Sequence, residues 1–276
     1  MENLLTIASV AGWIISLGWL LRRRIVGPGA RLEPRPTPIV AIDGLVALLL
    51  TIGGQFIAAA ILGALGWTQD PSERLSALSV MILQASGMGL AATYGLILVL
   101  RSEPRASAWL PASLATVALL GCVATITLGQ GTVAIVANAA TLLGYPPPSI
   151  AHEALARMVS FDDPVALVLR LISAIILAPL FEEAVFRGII QRSLVDATRG
   201  RVWVAITLTA TLFGLIHADQ VHAQGLPGLI VLGIIFGWLY ARTDRLWIPM
   251  LAHTAFNAYN VGLAFLLFGP TPVEAG

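Results

Sequence analysis

Residues 164–194 read PVALVLRLISAIILAPLFEEAVFRGIIQRSL, a run of mostly Leu, Ile, Val and Ala that carries Glu182, Glu183 and Arg187 in its second half. A membrane-spanning helix needs about 20 apolar residues. The run is therefore long enough to cross a bilayer and too long for one straight crossing. Pro179 lacks a backbone donor and is expected to kink the helix by removing the hydrogen bond to the Ile175 carbonyl. A charge at the bilayer centre costs roughly 2.5–3.5 kcal/mol on insertion scales. Three charges within six residues need partners or a task, and the default meaning is a functional site.

The rest of the chain has the same character. It is 57% hydrophobic and only 11% charged, where soluble domains carry about 25% charged residues. The fold class is all-α: a polytopic membrane helical bundle of about eight transmembrane helices. The expected spans are residues 4–21, 44–66, 75–100, 108–128, 164–180, 202–217, 226–240 and 247–268. Residues 1–163 form an N-terminal membrane region with four spans and an interfacial or loop segment. Residues 164–268 carry the other four, and 269–276 form a short tail.

Charge sets the orientation. All sixteen basic residues are Arg, and cytoplasmic loops are enriched in Lys and Arg. With the first span running outside to inside, twelve of the sixteen fall on the cytoplasmic side: Arg22, Arg23, Arg24, Arg31, Arg35, Arg101, Arg105, Arg192, Arg199, Arg201, Arg242 and Arg245. Both termini are then outside. Glu2 precedes the first apolar run and three arginines follow it, the reverse of a cleavable signal. Residues 129–143 are apolar but short and hold Gln130 and Asn138, so they read as a re-entrant or interfacial piece. Ser149 is a candidate cap for a short helix to Val159, with Leu155, Met158 and Val159 on the membrane surface. Asp163-Pro164 reads as N-cap and first helical residue of the next span. The net charge of +1 comes with no basic, aromatic-interleaved run, which excludes a nucleic-acid partner. Cys122 is a lone cysteine in an apolar span, so no disulfide framework or cysteine zinc site is expected.

Three motifs carry the chemistry: Glu182-Glu183-x-x-x-Arg187, Phe213-x-x-x-His217 and His253-x-x-x-Asn257. Residues four apart share a helix face, so Glu183 pairs with Arg187 as a structural ion pair. Glu182 points about 100° away and is left facing an apolar cavity as the candidate general base. Asn260 falls near the His253–Asn257 stripe. One carboxylate and two histidines suit two chemistries. They could ligate Zn²⁺ through Glu182, His217 and His253 and activate a water. Without a metal, Glu182 and His217 would polarise water while His253 and Asn257 donate to the oxyanion. Asp43, His152, Asp219 and His222 read as loop or span-end residues.

At these residues the chain resembles the CPBP family, the CAAX prenyl endopeptidases and their bacteriocin-processing and self-immunity relatives (the ABI family). All three family motifs occur in order, and Gly237-Trp238-Leu239-Tyr240-Ala241-Arg242-Thr243 before a Leu-Trp-x-Pro step is also familial. The resemblance covers residues 164–268, which it makes the catalytic membrane core. It implies intramembrane hydrolysis of a peptide bond in a membrane-associated peptide or protein, in a bacterial cytoplasmic membrane. Glu182 and His217 would activate water, and His253 and Asn257 would hold the oxyanion. Metallo- and glutamate-type mechanisms are both open. A non-catalytic scaffold or immunity protein and a proton-coupled transporter are the alternative readings. Simple topology puts His217 and His253 at different depths, so kinked or unevenly seated helices must bring them level with Glu182.

Overall fold

The computed structural model describes residues 2–22, 32–67, 72–101, 112–147, 153–159 and 162–269. All of their regular structure is helical. In chain order the helices are α1 (Glu2–Arg22), α2 (Ala41–Ala64), α3 (Glu73–Leu100), α4 (Ala112–Leu142), α5 (Glu153–Val159), α6 (Pro164–Ile172), α7 (Ala178–Val185), α8 (Gln191–Ala197), α9 (Val202–Leu215), α10 (Leu226–Thr243) and α11 (Trp247–Phe268). Helices α6, α7 and α8 are one continuous rod, Pro164–Ala197, joined by π-helical turns at Ser173–Leu177 and Phe186–Ile190.

Among the described residues, seven helices are long and apolar enough to cross a membrane. The span expected over residues 202–217 is instead the 14-residue α9. At 1.5 Å per residue it is about 21 Å long, short of the roughly 30 Å hydrocarbon core. Charged and polar groups lie inside, and many large apolar side chains face outward. Glu182, Glu183, Arg187, Gln191 and His253 are buried while Leu49, Phe56, Ile57 and Leu142 are exposed. This is an integral, multi-pass membrane protein.

The segment 129–143 is a correction. It is neither re-entrant nor separate, because α4 runs unbroken for 31 residues. The polar residues that suggested a break are satisfied within the helical frame. Gln130 Nε2 donates to Asn260 Oδ1 on α11 at 2.6 Å, and Asn138 Nδ2 donates to its own helix at the Ala134 carbonyl, 2.7 Å away. The surface role expected for Met158 also fails, since Met158 is buried and α5 packs on α11 and α6. Ser149 and His152, together with Arg23, Arg24, Arg31 and Arg105, lie outside the described residues.

The N-cap before the long rod is as read. Asp163 accepts from the Val165 N–H at 2.9 Å, and Pro164 starts the helix where its missing donor is not needed. Asp43 similarly caps α2, accepting from the Val40 N–H at 2.7 Å, and it also takes the Tyr94 hydroxyl from α3.

Two packed clusters hold the bundle. Leu20, Ala118, Leu128, Leu232, Phe236, Leu239, Ile248 and Ala252 join α1, α4, α10 and α11, with Cys122 packed against them as an ordinary apolar residue. Ile39, Ala47, Met88, Ala91, Val185, Phe186, Ile189 and Phe213 join α2 and α3 to the rod and α9. Small residues permit close approach where lipid gives no hydrophobic drive between helices. A Cβ on Gly87 of α3 would lie 2.3 Å from the Thr51 carbonyl oxygen of α2, and one on Gly233 of α10 would lie 2.8 Å from Ala210 Cα of α9.

Candidate active site

Glu182 and Glu183 sit on α7, the α-helical segment between the two π-turns. The i, i+4 spacing acts as expected. Arg187 Nε lies 3.0 Å from Glu183 Oε2, both side chains fully buried. The guanidinium also lies over three rings, with its Cζ 5.2 Å from the centroid of Phe213, 5.6 Å from Phe236 and 5.8 Å from Phe186. Ring faces carry negative quadrupole density, so this cage stabilises a cation that water cannot reach.

The other oxygen of Glu183 holds a histidine. Nδ1 of His253, on α11, lies 3.1 Å from Glu183 Oε1. The imidazole stacks on Phe236 at 4.7 Å and 21° and meets Phe213 edge-on at 5.9 Å. With Nδ1 engaged, Nε2 turns to Glu182, 4.0 Å from its Oε2.

His217 arrives from the opposite side by a parallel device. The last carbonyls of a helix have no intrahelical donor, and the Phe213 carbonyl at the end of α9 is taken by His217 Nδ1 at 2.7 Å. This gives the Phe-x-x-x-His spacing a physical reason. A carbonyl only accepts, so Nδ1 carries the hydrogen in this contact and Nε2 is left with a lone pair in the neutral ring. That Nε2 lies 3.8 Å from Glu182 Oε1. The early end of α9 brings His217 level with Glu182, which resolves the mismatch in depth.

Glu182 therefore stands between two imidazole Nε2 atoms rather than in an apolar cavity, which corrects the setting read for it. Separations of 3.8 and 4.0 Å are too long for direct hydrogen bonds. The donor set is that of a zinc hydrolase, but its spacing is not. Zinc bonds of about 2.0–2.1 Å set tetrahedral ligands about 3.3 Å apart. Among the described residues, no group of three or more His, Cys, Asp or Glu is arranged to hold a metal ion.

Asn257 goes elsewhere. Its Nδ2 donates to the Ala174 carbonyl in the first π-turn at 2.7 Å. Asn260 accepts from Gln130 and donates to the Phe256 carbonyl at 2.9 Å. The structure thus brings Glu182, Glu183, Arg187, His217 and His253 together and sets Asn257 against Ala174. Two neighbours escaped sequence reasoning. Phe236 carried no signal in an apolar helix. Gln191, which donates to the Gly237 carbonyl at 3.0 Å, was detectable as the next polar residue on the Glu183–Arg187 stripe.

A family comparison falls on the same region. Residues 164–259 match the family model described as type II CAAX prenyl endopeptidase Rce1-like. The chain is similar to the putative membrane peptidase YdiL of Bacillus subtilis (strain 168), 36% identical over 96 residues, covering 35% of this chain and 37% of that protein. It is also similar to the membrane-embedded CAAX protease MroQ of Staphylococcus aureus (strain USA300), 34% identical over 103 residues, covering 36% and 40% of the two chains. An uncharacterized 24.3 kDa protein of Escherichia coli is 28% identical over 135 residues, 49% of this chain and 61% of that one. The chain thus spans about two fifths of the length of the first two relatives. No solved structure matches significantly. Residues 164–259 thus resemble CAAX-type membrane proteases, the likeness that the three motifs carry.

Proposed function

We propose that the protein is an intramembrane endopeptidase that hydrolyses a peptide bond in a membrane-anchored peptide or protein. The reading rests on one observation above the others: a buried carboxylate, Glu182, faces the Nε2 atoms of His217 and His253, each ring having its Nδ1 anchored behind it. A water in that gap would donate one hydrogen to Glu182 and the other to the His217 lone pair. Its own lone pair is then directed at a substrate carbonyl carbon. As the C–O bond forms, Glu182 takes the proton. The carbonyl oxygen becomes an oxyanion that His253 stabilises when it carries a proton on Nε2. Collapse breaks the C–N bond, with Glu182 returning the proton to the leaving nitrogen.

No step is routed through zinc, because the ligand spacing does not suit it. Asn257 enters this reading as a support for the site rather than as a second oxyanion donor. A bacterial cytoplasmic membrane is the proposed location, in keeping with the bacterial sources of the three similar proteins. The name of one of them as a CAAX protease supports a substrate cut near a membrane anchor.

The test is cleavage of a membrane-anchored peptide by purified protein in proteoliposomes. Glu182→Gln and His217→Ala are each expected to lower turnover by about 100-fold or more. Full activity in both would overturn the mechanism.

A further inference from the structure

The observation starts from backbone bookkeeping. In an α-helix the Ala174 carbonyl would accept from the N–H of residue 178. In the π-turn Ser173–Leu177 the Ala178 N–H is displaced by one residue and donates to the Ser173 carbonyl instead. The next donor in π register would be residue 179, and residue 179 is proline. The Ala174 carbonyl is thus left without a backbone donor by the π-turn and the proline together. Pro179 likewise withholds the donor that the Ile175 carbonyl would have in α register.

A carbonyl within a membrane-spanning helix requires a partner, since no bulk water supplies one. Asn257 Nδ2 fills the place at 2.7 Å, reaching across from α11. Asn257 lies one turn beyond His253 on the same helix, and residues four apart share a face. Fixing Asn257 to Ala174 therefore fixes the rotation of α11, and with it the direction in which His253 Nε2 faces Glu182.

We infer that Asn257 is a positioning residue: its amide replaces the backbone donor that Pro179 withholds, and the pair sets the rotation of the helix that carries His253. The inference rests on the protease reading for its catalytic consequence but not for the bond itself. It differs from an oxyanion role in one measurable respect. A positioning amide depends on Pro179, whereas an oxyanion donor does not.

The experiment is a double-mutant cycle with Asn257→Ala, Pro179→Ala and the two combined, in the full-length protein. Two quantities are read, the melting temperature in detergent and the turnover of a membrane-anchored peptide. Alone, Asn257→Ala is expected to lower the melting temperature and to lower turnover by an order of magnitude or more, as about 1 Å of misplacement does, with KM little changed. Pro179→Ala supplies an N–H that in π register donates to Ala174, and a turn relaxed to α register gives Ala174 the N–H of residue 178. In that background Asn257→Ala is expected to cost little in melting temperature or further turnover. Equal losses of melting temperature from Asn257→Ala in both backgrounds would overturn the inference. So would equal fold-losses of turnover, the result for an oxyanion donor. If Pro179→Ala is itself inactive, the melting temperatures decide. If the wild-type protein cleaves nothing, the protease reading fails and the melting cycle still judges the bond.

Discussion

Nδ1 of His253 and Oε1 of Glu183 lie 3.1 Å apart, at a carboxylate whose other oxygen faces Arg187 at 3.0 Å. The second glutamate of the pair is therefore a bracket between a buried cation and the ring that faces the first glutamate. Its removal and the removal of Glu182 should have different consequences.

Glu183→Gln leaves a fully buried guanidinium without its anion. It is expected to cost about 3–5 kcal/mol of stability, the usual result of breaking a buried pair from one side. Glu182→Gln removes no such partner and is expected to keep the melting temperature near that of the wild type while abolishing cleavage. Melting curves of the two purified variants side by side make the comparison. A Glu183→Gln protein as stable as wild type would refute the bracket.

The spacing of Glu182, His217 and His253 carries a prediction about metals. Cleavage is expected to survive incubation with EDTA and 1,10-phenanthroline, and elemental analysis should find zinc well below one ion per chain. Stoichiometric zinc, lost together with activity in His217→Ala, would show that the three side chains close around a metal.

Contact between α2 and α3 depends on Gly87, where an added Cβ would meet the Thr51 carbonyl oxygen at 2.3 Å and the Gln55 side chain at 2.6 Å. Backbone cannot yield as a flexible side chain does. Gly87→Ala is expected to destabilise by about 1–3 kcal/mol, the cost of overpacking. Turnover per folded molecule should stay unchanged, because neither helix contributes Glu182, His217 or His253. Thermal unfolding and an active-site-normalised assay test both halves.

At the start of α3 and of the long rod, the Arg74 guanidinium holds the Asp163 carboxyl below its ordinary value of 3.8. A carboxylate lowered on folding adds stability that is complete above that value and is lost as pH falls through the lower, folded value. The exposed pair contributes a small term. Asp163→Asn keeps an oxygen for the N-cap but loses the charge. The variant is expected to lose less stability than the wild type between pH 5 and strongly acid conditions, as read by melting temperature.

The part of this site that follows a helical period was legible in the sequence. Glu183–Arg187 and Phe213–His217 are each four apart, and both contacts are made within one helix end or turn. The rest depends on what lies opposite, which one apolar helix cannot reveal about another. Phe236 is a phenylalanine among Ile, Leu and Gly until α10 turns it toward Arg187 and His253. A π-turn inserted in a uniformly apolar stretch leaves no break in periodicity, so Pro179 pointed to the Ile175 carbonyl but not to the Ala174 carbonyl that Asn257 takes. In α4 the amides of Gln130 and Asn138 resembled a stop. Their partners, Asn260 and the Ala134 carbonyl, let the helix continue.

The unbroken α4 has a consequence for the membrane itself. Its 31 residues span about 46 Å, against a hydrocarbon core of about 30 Å. Complete immersion would demand a tilt of about 50°, beyond the range of roughly 0–40° found for such helices. Leu142 and Leu143 at its far end are among the more exposed large side chains of the protein. The lipid at that end must thicken or receive a protruding apolar tip. The protein should therefore be sensitive to acyl-chain length in the membrane that holds it.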